Sequence, residues 1–370
     1  MSERILITGG AGFVGSHLAD RLLQEGYKVR VLDSLAEQVH GTDGWPAYLD
    51  ERVERIHGDI RDAEKVAEAL TDVSAVYHFA SVVGVGQSMY QIDYYTDVNN
   101  RGTAVLLEAL AKQPVRKLVV ASSMSLYGEG LYQDESGNTH SPAERAAGQL
   151  RDNDWELRRD GKPLKPMATP ETKQPSPSSV YALSKYDQEK LCLMIGQAYG
   201  IPTTALRFFN IYGTRQALSN PYTGVLAIFS SRLLNNKAPV IFEDGEQRRD
   251  FVSVHDIVQA CVLALDSEKA NGEVFNIGSG QNYSIREIAA KVAQVLNKTA
   301  LEPEITGEYR VGDIRHCFAD IEKARTLLNY HPRVSLDEGL RELAEWLRHQ
   351  KADDKVDSMR SELSSRGLSL

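Results

Sequence analysis

The feature that most constrains this chain is a glycine-rich turn between its first strand-like run and its first helical run. Gly9, Gly12 and Gly15 lie three residues apart in TGGAGFVGS, after the apolar run Arg4–Thr8 and at the start of a helical pattern over Phe13–Gln24. Glycine is needed where the backbone turns sharply, approaches a pyrophosphate closely or packs a helix on a strand. The N-terminus of the following helix presents free N–H groups to phosphate oxygens. The turn therefore predicts a dinucleotide site in a parallel α/β sheet; the simpler alternative is a glycine-rich turn without a ligand.

Two carboxylates follow this turn at positions that bear on the choice of cofactor. Asp33 ends the second strand-like run, 18 residues after Gly15. A carboxylate there accepts hydrogen bonds from the adenine ribose and repels the 2′-phosphate of NADP, so NAD is the predicted cofactor. Asp59, in GDIRD after the third strand, has two interpretations: it caps the next helix, or it contacts the adenine amino group.

Charge, hydropathy and cysteine content exclude several classes of protein. The chain has 370 residues, a net charge of −9 and no basic block, which argues against a nucleic-acid partner. No apolar run approaches the length of a membrane span, and MSERILITGG is not typical of a signal peptide, so we expect no membrane partner. Cys192, Cys261 and Cys317 lie far apart. The sequence thus indicates neither a disulfide framework nor a metal site, and it fits a reducing cytoplasm.

Short β-rich runs alternate with helical patterns through the first half of the chain, which is typical of parallel strands joined by crossover helices. Further strands are predicted at Val29–Leu32, Val53–His57, Ala75–Phe79, Lys117–Ala121 and Thr203–Arg207, and long helices at Asp93–Ala111 and Val180–Tyr199. The predicted fold class is α/β: a Rossmann-type doubly wound parallel sheet with a smaller C-terminal α/β domain.

The domain boundaries follow from this alternation. We predict that residues 1–212, with 249–274 returning to them, form the cofactor domain, and that 213–248 and 275–350 form the substrate domain. Residues 129–178 are polar and rich in Pro and Gly, and they are predicted to form a long insertion or lid. The polar segment 351–370 is predicted to be a frayed tail or a loosely docked helix.

Three polar side chains are predicted to meet at the cofactor edge of the sheet. Ser123 follows the fifth strand, at the carboxyl end where ligands of open α/β sheets bind. Tyr181 and Lys185 are four residues apart in SSVYALSKYDQEK and share one face if this run is helical. That spacing alone is common by chance. Downstream of a dinucleotide turn, it is the order that a nicotinamide-dependent enzyme needs.

Nine motifs then occur in a fixed order between Ile5 and about Trp346. They are TGGAGFVG, HFAS (78–81), YYTDVNNRGT (94–103), SSMSLYG, YALSK, LRFFNIYG (206–213), RRDFVSVHD (248–256), FNIGSG and YRVGDIRHCFAD (309–320). In them the chain resembles the extended short-chain dehydrogenase/reductase superfamily, and specifically the nucleotide-sugar epimerases. The resemblance implies an NAD-dependent 4-epimerisation of a nucleotide-diphosphate sugar through a transient 4-keto intermediate.

The resemblance also implies a role for individual residues. Ser123 becomes the active-site serine, Tyr181 the base and Lys185 the residue that binds the nicotinamide ribose. The implied cofactor contacts are Gly9, Gly12, Phe13, Val14, Gly15, Asp33, Asp59, Ile60, Phe79, Ala80, Ser81, Asn99, Tyr181 and Lys185. The implied substrate contacts are Ser123, Tyr181, Asn210, Arg249, Arg310, Asp313 and Cys317.

Within the substrate set the implied roles differ. Asn210 touches the diphosphate, Arg249 and Arg310 hold it through their planar guanidinium groups, and Asp313 binds the ribose of the nucleotide. Cys317 either walls the sugar pocket, where some relatives place a tyrosine, or is a small residue of the core.

Differences from the family's motifs reduce the number of reactions that the chain is expected to catalyse. Dehydratases carry an acidic pair directly after the active-site serine or threonine, whereas this chain has Met124 and Ser125, which disfavours dehydration. Asp33 disfavours a reductase that uses NADPH. A decarboxylating or simple dehydrogenase activity is less easily excluded, because the Ser, Tyr and Lys set is shared. The insertion carries no cysteine, so a zinc ribbon is not expected there.

The substrate is predicted from resemblance alone. The run RQALSNPYTGVLAIFSSRLLN, with the long insertion, looks most like bacterial enzymes that act on dTDP-6-deoxyhexoses. One alternative is a 4-epimerase of UDP-glucose or UDP-N-acetylglucosamine. A second is a catalytically silent NAD-binding regulatory protein on the same fold.

A homodimer is expected from the two long helices. In the family they pair with their copies as a four-helix bundle, and this chain has apolar residues there beyond what one core face needs. These residues are Val105, Leu106, Leu191, Met194 and Ile195.

Overall fold

Seven parallel strands form the central sheet in a computed structural model that describes residues 2–42, 44–142 and 145–369. They are β1 (Arg4–Thr8), β2 (Lys28–Asp33), β3 (Glu54–His57), β4 (Ala75–His78), β5 (Lys117–Ser123), β6 (Thr203–Phe208) and β7 (Val274–Ile277). Their order is β7-β6-β5-β4-β1-β2-β3, so the direction of winding reverses between β1 and β4. The carboxyl ends of strands open a crevice at such a reversal, and ligands bind there. The predicted fold class is confirmed.

Helices cover both faces of this sheet. The longer ones are α1 (Phe13–Gln24), α2 (Ala63–Leu70), α3 (Gly102–Lys112), α4 (Val180–Tyr199), α5 (Val225–Leu234), α6 (Val254–Asp266), α7 (Ile285–Val295), α8 (Glu322–Leu328), α9 (Leu336–Leu347) and α10 (Val356–Ser365). Shorter helical segments cover Glu37–His40, Val85–Ser88, Ile92–Tyr95, Met124–Tyr127, Ala147–Arg151 and Glu268–Ala270. The predicted helix Asp93–Ala111 is interrupted, because Thr96–Arg101 forms a π-helical turn before α3. Such turns are rare and occur within α-helices, so a helical sequence pattern does not reveal them.

The core consists of one apolar layer on each face of the sheet. In β1, Ile5 and Ile7 pack on the layer that contains α1 and α6, while Leu6 packs on the layer that contains α2, α3 and α4. All three side chains are completely buried. This alternation is the period of a strand that is covered on both sides, which fixes the register of β1 and the position of the turn that follows it.

The smaller domain is built from short strand pairs and helices α5, α7 and α9, which share a separate apolar cluster. The strand pairs are Asn210–Tyr212 with Phe251–Ser253, Val240–Ile241 with Glu304–Ile305, and Arg248–Arg249 between Tyr283–Ser284 and His316–Cys317. The segment that returns to the central sheet extends through β7 to Ile277, past the predicted boundary at residue 274.

The insertion contains more regular structure than its sequence indicates. Leu131–Gln133 pairs with both Thr139–His140 and Lys165–Met167, and Arg158–Arg159 forms a hairpin with Lys162–Pro163. Strands of two or three residues are too short for a hydrophobic period, which is why none was predicted.

A buried ion cluster attaches the insertion to the smaller domain. The Arg315 guanidinium, 1% exposed, donates to Glu156 of the insertion and to Glu243 and Asp244 of the smaller domain. Arg145 pairs with Glu243 at 2.7 Å. Among the described residues of the insertion, Ser178 lines the central cleft but residues 129–142 and 145–177 do not, so the insertion flanks the cleft and is not a lid over it.

The polar C-terminal segment is a docked helix. Val356, Met359 and Leu363 of α10 are buried, with exposures of 3%, 4% and 1%. Of the two predicted alternatives, the frayed tail is wrong.

The helices predicted to form a dimer expose only part of the predicted apolar set. Leu106 is fully buried in the core, so its assignment to an interface is wrong, whereas Met194 is 59% exposed. Leu183 and Ile92 are also exposed, at 50% and 56%.

All three cysteines are buried and unpaired. Through the described ranges of the chain, no helix has both the length and the apolar character needed to cross a membrane.

Candidate active site

A cleft of about 650 Å³ runs along the carboxyl edge of the sheet and continues into the smaller domain. It is of the size typical of small-molecule sites. Most of the predicted site residues line it: Gly9, Gly12, Phe13, Val14, Gly15, Asp33, Asp59, Ile60, Phe79, Ala80, Ser81, Ser123, Tyr181, Lys185, Asn210 and Arg249. Arg310 and Asp313 line it as well, but Asn99 and Cys317 do not.

The glycine-rich turn is built for close approach. Gly9 has φ 68°, and a Cβ there would lie 2.8 Å from the backbone nitrogen of Ala80. A Cβ on Gly15 would lie 2.6 Å from Gly10 Cα. Gly12 precedes α1 without a side-chain cap, so the first N–H groups of that helix are free for an anion. These features fit the pyrophosphate of a dinucleotide.

Asp33 ends β2 beside this turn. Its Oδ2 accepts from Ala11 N at 3.0 Å and its Oδ1 from Leu35 N at 2.9 Å, which fixes the carboxylate at the cleft wall. A carboxylate held in this way still has lone pairs for ribose hydroxyls.

Asp59 is not the cap of the next helix. That role belongs to Asp62, whose side chain accepts from Glu64 N and Lys65 N at the start of α2. Asp59 instead pairs with Arg61 at 2.6 Å, and this hydrogen bond lowers the pKa of its carboxyl. It remains at the cleft, where contact with adenine stays a prediction.

Ser123 and Tyr181 face each other at the end of β5 and the start of α4. Ser123 Oγ lies 2.8 Å from Ser125 Oγ, and Ser88 Oγ accepts from Tyr181 N at 3.0 Å. Burial raises the pKa of the Tyr181 phenol, and the neighbouring Ser123 hydroxyl partly offsets this rise. Tyr181 without further positive charge nearby therefore carries its proton at neutral pH.

Lys185 is buried one turn farther along α4, where its Nζ donates to Gln188 Oε1 at 2.8 Å. Burial lowers the pKa of Lys185 to about 8. The hydrogen bond to Gln188 thus holds the Lys185 amino group at one point of the cleft wall.

A chain of buried polar groups extends from Lys185 to β1. Gln188 Nε2 donates to Thr103 Oγ1 at 2.8 Å, and His78 lies between Thr103 and Thr8, at 2.9 and 2.8 Å. Sequence reasoning missed Gln188, Thr103 and Thr8 as parts of the site. His78 lies in the HFAS motif and Gln188 three residues after Lys185, which were the available signals.

Asn99 supports the cleft from behind. It is completely buried, accepts from Val82 N at 2.8 Å and donates to Ser184 Oγ at 2.9 Å. Both ends of its amide are occupied by the loop after β4 and by α4, and it does not line the cleft, so its direct contact with the cofactor stays a prediction. Asn99 positions that loop.

In the part of the cleft that the smaller domain lines, four predicted substrate residues present polar groups. Asn210 Oδ1 is buried without a partner, which suits a ligand. Arg249 donates to the carbonyls of Arg315 and Ile314, and Arg310 pairs with Asp313 at 2.8 Å.

Cys317 belongs to the core. It is fully buried, and its Sγ lies 3.9 Å from Thr169 Oγ1 of the insertion. Since it lies outside the cleft, its position favours the interpretation as a small core residue over that as a wall of the sugar pocket.

Three further cleft residues were missed by sequence reasoning. Arg215 Nη1, Gln216 Oε1 and Gln247 Oε1 are buried without partners on the cleft wall. Arg215 and Gln216 lie in the RQALSNPYTG run, and Gln247 lies two residues before Arg249, so proximity to a motif was the only signal. Within the described ranges, no group of three His, Cys, Asp or Glu side chains could hold a metal.

The chain is similar to known proteins along most of its length. The profile of the NAD-dependent epimerase/dehydratase family matches residues 5–147 and 160–278. A dTDP-L-rhamnose 4-epimerase of Burkholderia thailandensis is 35% identical over 349 residues, which are 93% of this chain and 95% of that protein.

Two crystal structures are similar in fold. The UDP-glucose 4-epimerase of Thermotoga maritima with UDP-glucose has a TM-score of 0.76 and 32% identity, over 93% of this chain and 98% of that one. The UDP-glucose 4-epimerase of Thermus thermophilus in complex with NAD has a TM-score of 0.74 and 31% identity, over 94% and 99%.

Proposed function

Because this chain belongs to the NAD-dependent epimerase/dehydratase family, and is an NAD-dependent nucleotide-sugar 4-epimerase, we propose that it inverts C4 of dTDP-L-rhamnose to give dTDP-6-deoxy-L-talose. The observation that carries the reaction is that Ser123, Tyr181 and Lys185 line the same cleft as the glycine-rich turn and the arginines of the smaller domain. An intact set of these three residues is what a silent NAD-binding protein would not need.

The cofactor end of the cleft is assigned to the turn and to β2. The N–H groups at the start of α1 hold the pyrophosphate, and Gly9 and Gly15 leave room for it. Asp33 binds the adenine ribose and repels a 2′-phosphate, which selects NAD over NADP. Lys185 binds the nicotinamide ribose. Bound NAD supplies a hydride acceptor and donor, and a positive ring charge beside Tyr181.

Tyr181 acts as the base that removes the proton from the C4 hydroxyl, and it returns a proton when the hydroxyl re-forms. Lowering a tyrosine pKa from its ordinary value of about 10 to near 7 requires roughly 4 kcal/mol, and the rise that burial causes in Tyr181 adds to this requirement. One cation at about 4 Å, at an effective dielectric constant near 20, supplies about that amount. The Lys185 ammonium contributes part of this charge, and the Ser123 hydroxyl, which lowers the pKa of Tyr181, orients the phenol. Tyr181 thus becomes basic only in the complex with oxidised cofactor.

The residues after Ser123 oppose the related elimination of water. Met124 is buried and cannot transfer protons, and Ser125 is hydrogen-bonded to Ser123. Since no acidic pair is present there, the 4-keto sugar is reduced again and not dehydrated.

The other end of the cleft is assigned to the nucleotide diphosphate. Arg249 and Arg310 bind its phosphates, Asn210 contacts them with its unpaired amide, and Asp313 binds the ribose. Rearrangement of the Arg310–Asp313 pair would free both groups for the ligand.

The identity of the sugar rests on similarity. The Burkholderia protein acts on dTDP-L-rhamnose, and the RQALSNPYTG run supports that choice. A UDP sugar is the second candidate, because the Thermotoga structure contains UDP-glucose.

Separate incubations with dTDP-L-rhamnose, UDP-galactose and UDP-N-acetylgalactosamine, followed by NMR of the sugar protons, test the proposal. We expect conversion of dTDP-L-rhamnose without added cofactor. Conversion of only the UDP sugars would reject dTDP-L-rhamnose as the substrate and support the 4-epimerisation. Conversion of none would reject all three sugar nucleotides as substrates.

The active protein is also proposed to be a homodimer. Leu183 and Met194 lie on one stripe of α4, eleven residues apart, and both are at least half exposed. With Ile92, they form an apolar surface on the helices that pair in the family.

A further inference from the structure

Helix α10 forms part of the wall of the cleft at the end where the nucleotide is proposed to bind. Val356, Met359 and Leu363 lie on one face of this helix, at the spacing of helical turns. Val356 and Met359 line the cleft, although each is less than 5% exposed. The C-terminal segment therefore contributes side chains directly to the site.

This face of α10 packs on the smaller domain beside the proposed phosphate and ribose residues. Its apolar partners include Val240, Phe242 and Tyr222. The Arg310 guanidinium lies 4.6 Å from the centre of the Phe242 ring and pairs with Asp313. The apolar surface formed by α10 and its partners thus lies directly beside Arg310 and Asp313.

Ion pairs and backbone bonds fix the segment in this position. Asp357 accepts from Arg232 at 2.8 Å, and Arg360 donates to Glu304 at 3.2 Å. Past the helix, Leu368 O accepts from Val311 N at 2.9 Å. The helix is therefore anchored along its length, and the residues after it bridge to the segment that carries Arg310.

The segment also reaches the cofactor domain. Leu363 covers Gly86, where an added Cβ would lie 3.5 Å from its Cδ2. The Arg366 guanidinium lies 4.4 Å from the centre of the Tyr90 ring, and Tyr90 OH is bonded to Tyr222 OH at 2.7 Å. α10 thus connects the two domains across one end of the cleft.

Resting on the proposed function, we propose that Met359, supported by Val356, contacts the pyrimidine base and is a base-binding residue. With the diphosphate on Arg249 and Arg310 and the sugar at Tyr181, the base extends toward this apolar wall. A base has apolar faces, and a methionine thioether packs well against aromatic rings. No charged group of α10 faces this part of the cleft, which agrees with a neutral base.

Binding of dTDP, UDP and inorganic pyrophosphate to the full-length protein tests this role by calorimetry. Met359→Ala is expected to weaken dTDP and UDP about tenfold, equivalent to about 1.4 kcal/mol. Pyrophosphate and NAD should bind as to the wild type, since neither contacts α10. Met359→Leu, which conserves volume, should restore dTDP binding to within about threefold.

Ser358→Ala, on the exposed side of the same helix, is the matched control and should change nothing. Unchanged dTDP binding in Met359→Ala would overturn the inference and leave the proposed function intact. A parallel loss of pyrophosphate binding would also overturn it, because α10 would then act only by holding Arg310. Failure of the wild type to bind any nucleoside diphosphate would overturn the proposed function with it.

Discussion

The Lys185 ammonium is held by a relay of side chains that starts at β1. Thr8, His78, Thr103 and Gln188 are all buried and bonded in sequence. Since Gln188 Oε1 accepts from Lys185 Nζ, displacement of any member is expected to move the ammonium in the cleft wall. The position of Lys185 therefore depends on residues that lie behind the cleft wall and do not line it.

Tyr181→Phe is expected to reduce turnover by about 10² to 10⁴, because the proton of the C4 hydroxyl then has no base. Bound NAD and the unfolding midpoint should be those of the wild type, since the ring itself is retained. Tyr186→Phe, in the same helix but outside the cleft, is the matched control. Near-normal turnover in Tyr181→Phe would contradict the assigned role; the measurement is the rate of sugar interconversion by NMR.

Stability should fall on acidification through His78. Burial, followed by the Lys185 charge, lowers the pKa of folded His78 to about 3, whereas the unfolded residue titrates near 6.5. Below pH 6.5 only the unfolded chain takes up this proton, so unfolding becomes easier by about 2 kcal/mol between pH 7 and pH 5. Urea unfolding at both pH values should show a smaller loss in His78→Gln than in the wild type.

His331→Gln removes an exposed histidine and should keep the pH dependence of the wild type. If His78→Gln kept it too, the buried histidine would not be the source.

At the scale of elements, the insertion depends on buried charge. Arg315 is surrounded by Glu156, Glu243 and Asp244, and Arg145 adds a second cation to the group. Buried ion pairs contribute little net stability when complete, but removal of one partner leaves uncompensated charge. The insertion and the smaller domain are therefore held together by the neutralisation of these carboxylates by the two arginines.

Arg315→Met should destabilise the protein by about 3 to 5 kcal/mol, because the carboxylates lose their shared cation. Glu135→Gln breaks the exposed pair with Lys162 and should leave the unfolding midpoint unchanged. Equal midpoints for Arg315→Met and the wild type, measured in urea, would show that the cluster does not hold the insertion.

The sequence predicts an element correctly when the residues that specify it are close together in the chain. The strand of β1, the glycine turn and α1 are each specified within about a dozen residues, and all were predicted with the bounds they have. The insertion strands and α10 exist because of contacts with Glu243, Val240 and other distant residues, which no period reveals. Motifs also placed Asn99 and Cys317 in the right region without showing that their side chains face away from the cleft.

At the scale of the whole molecule, the proposed dimer predicts the effect of charge on the exposed stripe of α4. The double change Leu183→Lys and Met194→Lys should give a monomer by light scattering at micromolar concentration, because two lysines cannot be buried against their copies. Ile305→Lys, on the smaller domain and 40% exposed, is the control and should leave the mass unchanged. A wild-type monomer would contradict the proposal outright.

Because its three cysteines are buried, the protein can be labelled at a single introduced cysteine. Burial raises the pKa of both Cys192 and Cys317 to about 12 and that of Cys261 as well, so none forms a thiolate at neutral pH. Thiol-reactive dyes should therefore not react with the native protein. A cysteine introduced at the exposed position Ser358 would carry the dye alone, and its fluorescence would follow α10 in real time as a nucleotide enters the cleft.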